Sequence, residues 1–153
     1  MCSSDLDVIA HVGDDFIATN GMAKGAMTLI DADRATELYA AMPPAIETSG
    51  GSAANTIAGV AGFGGRVAYV GKVRRDQLGE VFRHDIRAVG VDYDLPLADD
   101  GLPTARCLIL VTHDAERTMN TFLGISSLLE PADVDEALVA AAQVVYCEGY
   151  LWD

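Results

Sequence analysis

A glycine-rich turn at the start of a predicted helix contains the residues best suited to binding a small polar ligand. Residues 50–55 read Gly-Gly-Ser-Ala-Ala-Asn. Two glycines let a ligand approach the backbone closely, and the free N–H groups of a helix N-terminus suit sugar hydroxyls as well as anions. Asn55, about one turn further, carries both a donor and an acceptor. The same residues are compatible with an ordinary turn in which Ser52 is the helix N-cap.

Two adjacent aspartates, Asp14 and Asp15, follow the first predicted strand, residues 8–12. Ligand sites of α/β proteins form where strands end, and one carboxylate there can accept hydrogen bonds from two neighbouring hydroxyls. A solvated turn is the alternative interpretation of this pair.

Short apolar runs and amphipathic stretches alternate along the chain, and this predicts an α/β fold with a parallel-rich sheet and flanking helices. Strands are predicted at residues 8–12, 16–18, 26–30, 46–48, 67–70, 105–112, 118–123 and 143–147. Helices are predicted at residues 31–42, 53–63, 76–89 and 131–142.

Two hairpin-like segments, residues 15–30 and 105–123, do not fit this alternation and are interpreted as a small antiparallel lid beside the main sheet. The last predicted strand is followed by Gly-Tyr-Leu-Trp at residues 149–152. We expect an open apolar sheet edge there.

Composition excludes several classes of function. With 10 basic and 23 acidic residues the formal net charge is −13, which argues against binding nucleic acid or an anionic membrane.

The three cysteines are widely spaced and form no CxxC motif, so neither a disulfide framework nor a zinc site is indicated. No signal peptide or membrane-spanning run is visible. We therefore expect a cytoplasmic protein. A Walker-type phosphate loop and a dinucleotide-binding fingerprint are also absent.

A longer pattern runs through residues 50–91, which read GGSAANTIAGVAGFGGRVAYVGKVRRDQLGEVFRHDIRAVGV. The pattern consists of GG, an Asn four residues on, a helix, a strand ending in Gly71, and D-x-x-G at Asp76 and Gly79. This stretch resembles the first signature of the ribokinase-like (PfkB-type) carbohydrate kinases. The segments KGAMTLID (residues 24–31) and ERTMNTFLG (residues 116–124) resemble the adenosine-kinase-like branch of that family. The resemblance covers essentially residues 1–153 and corresponds to the N-terminal half of such a kinase domain.

The resemblance implies roles for five residues. Asp15 matches the acidic residue that holds substrate hydroxyls, and Gly50, Gly51 and Asn55 match the turn that cradles the sugar. Glu148 falls where some members place a glutamate near substrate or metal. The lid segments match a cover that excludes water from the reaction and, in some members, forms a dimer.

The resemblance also implies the reaction, which is transfer of the γ-phosphate of ATP, with Mg²⁺, to a hydroxymethyl group of an adenosine-like nucleoside or a sugar. Members run to roughly twice this length, and their second half carries a G-A-G-D turn with the catalytic base and the nucleotide site. We expect no catalytic residue in these 153 residues, and we expect the chain alone to bind neither ATP nor Mg²⁺ and to be inactive. The alternative is a non-catalytic protein that binds a sugar or pairs with another subunit.

Two positions depart from the family pattern. His11 stands where many members have Asn, and Arg75 stands where a small or acidic residue is more usual.

Overall fold

The computed structural model describes residues 5–148, and one mixed sheet of five strands forms its centre. The strands are β1 Asp5–His11, β2 Met27–Leu29, β3 Ile46–Gly50, β4 Ala105–Val111 and β5 Arg117–Phe122. Their order is β2-β5-β4-β1-β3. The pairs β1–β4 and β2–β5 are parallel, whereas β1–β3 and β4–β5 are antiparallel. The prediction of an α/β fold with parallel pairs and flanking helices is confirmed.

The helices begin largely where the sequence predicts. They are α1 Asp14–Thr19, α2 Ala32–Ala41, α3 Ser52–Gly62, α4 Gln77–Ala88 and α5 Glu136–Ala141, with 3-10 helices at Gly124–Leu128 and Pro131–Asp133. Asp31 caps α2 by accepting a hydrogen bond from the Arg34 amide at 2.8 Å, and Asp76 caps α4 through the Gly79 amide at 2.9 Å. Within residues 5–148, no helix is long and apolar enough to cross a membrane.

The two faces of the sheet differ in their cover. Val8 of β1 packs against Leu38 of α2, and Ala10 packs against Ile17 of α1, so these helices cover one face. Because side chains alternate along a strand, Asp5, Asp7 and Ile9 project from the other face. A further apolar cluster joins Leu6 of β1 to α3, α4 and the loops that follow them, and its other large buried members are Tyr69, Val73, Phe82, Ile86, Tyr93 and Leu97.

The strand predicted at residues 16–18 is wrong, because this segment lies in helix α1. Three apolar residues are too few to distinguish a strand from a helix turn. Asp14 and Asp15 occupy the first turn of α1, where acidic side chains favour a helix. Ile17 is buried beneath the sheet.

The continuous helix predicted at residues 131–142 is wrong in its centre. Val134 has ψ 118°, which is extended rather than helical, and it separates the 3-10 helix from α5. Asp135 then starts α5 as a new N-cap, accepting hydrogen bonds from the amides of Ala137 and Leu138 at 2.8 and 3.2 Å. A side chain that caps the helix competes with its continuation through the same position.

Two predicted strands do not join the sheet. Residues 67–70 make a single bridge, from Ala68 to Asp92. The buried strand predicted at residues 143–147 is wrong, since these residues form no strand and Val144 is 83% exposed. A strand requires a neighbour to satisfy its backbone groups, and the described residues supply none for this segment. The open edge expected at residues 149–152 lies outside the described residues.

The two segments interpreted as a separate lid contribute strands to the five-stranded sheet. Strand β4 pairs with β1 along its whole length, from Asp5–Ala105 to His11–Val111, and β2 extends the same sheet through β5. An antiparallel β4–β5 hairpin is present as predicted. It is continuous with the main sheet because the apolar residues of β4, Leu108 and Leu110, are buried with those of β1.

Candidate functional site

The turn at residues 50–51 connects β3 directly to α3. Gly51 is the N-cap of α3 and has φ 97° and ψ 130°, a backbone conformation that favours glycine. Its carbonyl accepts a hydrogen bond from the Asn55 amide at 2.8 Å. The alternative in which Ser52 caps the helix is wrong, because Ser52 is the first helical residue and no side chain caps α3. Within residues 5–148 no side-chain cap hydrogen bond is present at this end of α3, so its first-turn amides can donate to a ligand.

Asp7 lies directly against Gly50. A Cβ atom on Gly50 would lie 2.8 Å from Asp7 Oδ1 and closer still to Oδ2. This proximity follows from the antiparallel register, in which Asp5 faces Gly50 and Asp7 faces Thr48. Glycine at position 50 thus makes room for a carboxylate beside the start of α3.

The environment of Asp7 shifts the pKa of its carboxyl group. The side chain is half-buried, and this burial raises the pKa of the Asp7 carboxyl above its ordinary value of 3.8, while the positive charge of Arg117 opposes the shift. Arg117 lies on the same face of the sheet, because it is in register with Val111 and hence with His11 of β1. A partly desolvated carboxylate is a strong acceptor for hydroxyl groups.

A polar row crosses the sheet at the level of Asp7. Its members, in spatial order, are Thr48, Asp7, Cys107 and Thr121, and the apolar Leu29 of β2 follows them at the edge of the sheet. Thr121 Oγ1 lies 3.2 Å from Cys107 Sγ, and burial raises the pKa of the Cys107 thiol to about 12. Cys107 is therefore a neutral, buried neighbour of Asp7 and not a nucleophile.

An apolar row lies beside the polar one on the same face. It consists of Ile46, Ile9, Ile109, Met119 and Met27. Met27 and Leu29 are 51% and 54% exposed, and Ile46 is 71% exposed. The face thus places a carboxylate and hydroxyls next to an apolar row that is buried at Ile109 and exposed at its two ends.

Asp15 is not brought together with the glycine turn. Gly50 is in register with Asp5 at the start of β1, whereas Asp15 is exposed in α1, which begins after His11 at the other end of the strand. Six residue steps of a strand span about 20 Å. The predicted grouping of Asp15 with Gly50 and Gly51 is therefore not what the structure shows.

The other predicted site residues have distinct placements. Gly50 ends β3, Gly51 is the N-cap of α3, and Asn55 lies about one turn further along α3, exposed to solvent. Glu148 is buried, and its Oε1 accepts a hydrogen bond from the Tyr146 hydroxyl at 2.9 Å. Its role near substrate or metal stays a prediction. Within residues 5–148, no cluster of three or more His, Cys, Asp or Glu residues could hold a metal ion.

Comparison with known families gives a match to the sequence model described as "pfkB family carbohydrate kinase", over residues 22–153. The chain belongs to this family. The resemblance inferred from residues 50–91 is thereby confirmed.

Solved structures and curated sequences agree with this membership in the pfkB family. The crystal structure of adenosine kinase from Sinorhizobium meliloti is 56% identical, with a TM-score of 0.93 over 99% of this chain and 46% of that chain. A probable sugar kinase from Rhizobium etli CFN 42 is 52% identical, with a TM-score of 0.92 and the same coverage. Probable fructokinase-3 of Arabidopsis thaliana is 31% identical over 68% of this chain and 31% of its own length. This pfkB-family chain thus spans about half of the solved relatives and about a third of the curated one.

The D-x-x-G element of this pfkB-family chain has a structural explanation. Asp76 accepts hydrogen bonds from the amides of Gly79 and Thr104, each at 2.9 Å, and from Thr104 Oγ1 at 2.7 Å. Gly79 is required because a Cβ there would overlap the carbonyl oxygen of Arg74. The motif joins the start of α4 to the residue before β4, and so positions helices and sheet relative to each other.

The two departures from the family pattern are both accommodated at the surface. His11 is exposed at the end of β1. Arg75 forms an ion pair with Asp99 at 2.6 Å.

Sequence reasoning missed Asp7, although a signal was present. The sequence predicts the first strand at residues 8–12, which leaves Asp7 outside it, whereas β1 begins at Asp5 and includes Asp7. A charged residue alternating with apolar ones inside a strand projects from the face opposite the core. The pattern Leu6-Asp7-Val8 carried that information.

Proposed function

We propose that this chain supplies the substrate-binding half of an ATP-dependent kinase that phosphorylates a hydroxymethyl group of a nucleoside or sugar. The observation that carries the proposal is the Asp7 carboxylate against Gly50, beside the uncapped N-terminus of α3. A carboxylate and a row of backbone N–H groups together can accept from and donate to the hydroxyls of one sugar ring. Asp7 takes the role that the sequence assigned to Asp15.

The roles of the chain are to bind and orient the substrate. Asp7 would accept hydrogen bonds from two adjacent hydroxyls, and the amides after Gly51, with Asn55, would contact the same ring. Positioning and charge stabilisation account for most catalysis of phosphoryl transfer. ATP would supply the phosphoryl group and Mg²⁺ would neutralise its charge. We assign no residue of this chain to either.

We propose an adenosine-like nucleoside as the preferred substrate. The apolar row next to Asp7 supports this, because Met27, Met119 and Ile9 offer a surface on which a flat base can pack. A free sugar has no comparable apolar group. The relatives named adenosine kinase and probable sugar kinase are both more than 50% identical to this chain, so fructose- and ribose-type sugars are the competing substrates.

The lid proposal gains support from contacts between its two segments. Lys24 bonds to Asp14 and Asp114 at 2.7 Å each, so it ties the start of α1 to the β4–β5 turn. The hydrogen bonds to Asp114 and Asp14 raise the pKa of Lys24 to about 12. The Gly25 amide also donates to Thr118 Oγ1 at 3.0 Å. We propose that the parts of these segments outside the central strands, residues 20–26 and the β4–β5 turn, act together as the lid, and that the exposed β2 edge is available for a dimer contact.

The free thiols of Cys107 and Cys147 support a reducing, cytoplasmic location as a further part of the proposal. Substrate, rather than nucleic acid or membrane, remains the expected partner of this acidic chain.

The proposal is tested by ligand titration of the chain with adenosine, ribose and fructose, monitored by ligand-observed NMR. Asp7→Asn should weaken adenosine binding by about tenfold or more, because a hydrogen bond to a charged group contributes roughly 1.5–3 kcal/mol. Asp15→Asn is the matched control and should leave binding unchanged. Loss of binding in the Asp15 variant, with the Asp7 variant unaffected, would return the role to Asp15.

A further inference from the structure

Strand β3 carries a second polar contact on the face opposite the candidate site. Ser49 is in register with Leu6 of β1, and Leu6 is buried in the apolar cluster of α3 and α4. Because side chains alternate along a strand, Ser49 projects towards these helices, whereas positions 48 and 50 face Asp7. The strand therefore has one face in the candidate site and the other against the helices.

Asp85 of α4 binds Ser49 from behind the site. The Ser49 hydroxyl donates a hydrogen bond of 2.6 Å to Asp85 Oδ2, although the two residues are 36 positions apart in the sequence. Nδ1 of the neighbouring His84 lies 3.0 Å from Asp85 Oδ1. The hydrogen bonds with Ser49 and His84 hold the pKa of Asp85 below its ordinary value of 3.8, so its carboxylate is charged at neutral pH. A charged acceptor makes a stronger hydrogen bond than a neutral one.

The order of these contacts excludes a hydrolytic triad. In such a triad the histidine lies between the serine and the carboxylate, and it takes the proton of the serine hydroxyl. Here the carboxylate of Asp85 lies between Ser49 and His84, and it accepts the single hydroxyl proton of Ser49. The contact therefore fixes the position of Ser49 and does not activate it as a nucleophile.

Helix α4 is a rigid support for this contact, and β3 is a strand that needs one. Phe82 and Ile86 lie on either side of Asp85 in α4, and both are buried in the cluster that contains Leu6. Strand β3 is the last strand of the described sheet and pairs there with β1 alone. Residues 46–48 of β3 are exposed. The hydrogen bond from Ser49 thus joins the end of an edge strand to the core.

We propose that Asp85 is a positioning residue of the substrate site and acts through Ser49. The contact holds the turn at residues 50–51, which follows Ser49 directly, against Asp7. This turn determines both the approach of Gly50 to the Asp7 carboxylate and the direction of the first amides of α3. A shift of β3 would move both groups of the site, and binding sites depend on geometry within about 0.5 Å. The effect on substrate affinity rests on the proposed function, whereas the position of the turn is measurable without substrate.

The first test is amide NMR of the chain with Asp85→Ala, a change that is remote from the turn in the sequence. The amide signals of Gly50 and Gly51 should shift, and their hydrogen exchange should become about fivefold faster because the turn opens more often. Adenosine binding should weaken about fivefold, as expected for a residue coupled to the site by direct contact. Glu80→Ala is the matched control, because Glu80 is another carboxylate of α4 and its partner is Arg83 at 3.5 Å. It should change neither the turn signals nor the affinity.

The second test uses variants of Ser49 to show that Asp85 acts through this residue. Combining Ser49→Ala with Asp85→Ala should weaken adenosine binding no more than either change alone, because both remove the same hydrogen bond. Ser49→Thr keeps the hydroxyl donor and should bind adenosine within about twofold of wild type. Circular dichroism confirms that each variant is folded.

Four results would overturn the proposal. They are unchanged signals of the turn in Asp85→Ala, equal changes in Glu80→Ala, equal losses of affinity in Ser49→Thr and Ser49→Ala, and losses that multiply in the double variant. If the wild-type chain binds no adenosine but Asp85→Ala shifts the turn signals as expected, the positioning role stands and the proposed function alone fails.

Discussion

Replacement of Asp76 by alanine should destabilise the chain far more than loss of an ordinary helix cap. The Asp76 carboxylate caps α4 through Gly79 and also binds the amide and hydroxyl of Thr104, a fully buried residue. Losing the cap costs about 1 kcal/mol, and leaving buried donors of Thr104 unpaired adds roughly 1–3 kcal/mol. We therefore expect a loss of about 3 kcal/mol in the free energy of unfolding.

Asp31→Ala is the matched control, because Asp31 caps α2 through one exposed hydrogen bond to Arg34. It should cost about 1 kcal/mol. Urea denaturation followed by circular dichroism measures both variants. For a chain of this size the melting temperature should fall by about 6–12 °C for Asp76→Ala, and by about 2–4 °C for the control. Equal losses of stability in the two variants would refute the view that Asp76 couples α4 to the sheet, and would show that Asp76 acts only as a helix cap.

Three further predictions follow from the site. Gly51→Ala should lower stability by about 1–2 kcal/mol, since the φ of 97° disfavours a side chain; unchanged urea denaturation would contradict this conformation. In a Cys2→Ser background, a thiol reagent at pH 8 should label exposed Cys147 rapidly and buried Cys107 only on unfolding, whereas rapid labelling of both would show that the Asp7 row is open to solvent. The folded-state pKa of Asp7 is raised above 3.8, so its contribution to stability is present below pH 3.8 and lost as pH rises through the folded pKa. Asp7→Asn should consequently be more stable than wild type at pH 7 and lose this advantage near pH 3, and an advantage that persists at pH 3 would point to a cause other than ionisation.

Helix boundaries were largely predictable because local chemistry sets them. Asp31 and Asp76 precede amphipathic stretches and cap them as the sequence indicates, and Gly64 with φ 81° follows α3. These signals act within one helix turn, so their effect does not depend on which distant segments pack against the helix.

Sheet membership was less predictable because it depends on distant partners. The hairpin of β4 and β5 is predicted from two strands close together in the sequence, but nothing local shows that β4 lies between β5 and β1. Residues 143–147 have the composition of a buried strand and are exposed. Composition indicates a preference for the strand conformation, but it does not indicate whether a neighbouring strand is present to pair with. The grouping of site residues depends on register in the same way: Asp15 is assigned by the family resemblance, whereas register brings Asp7 to Gly50.

Two features of the site leave its polar groups incompletely satisfied. Helices α2, α4 and α5 each begin with an aspartate that accepts from their first-turn amides, whereas α3, like α1, begins with a glycine N-cap and has no side-chain cap. Beside it lies Asp7, half-buried and held by burial at a raised pKa. Each feature alone costs stability, because one leaves amides without an acceptor and the other desolvates a charge. A ligand with several hydroxyl groups relieves both at once, by accepting from the amides and donating to the carboxylate. The pairing of two unfavourable features at one turn is therefore the strongest physical reason to place the substrate there.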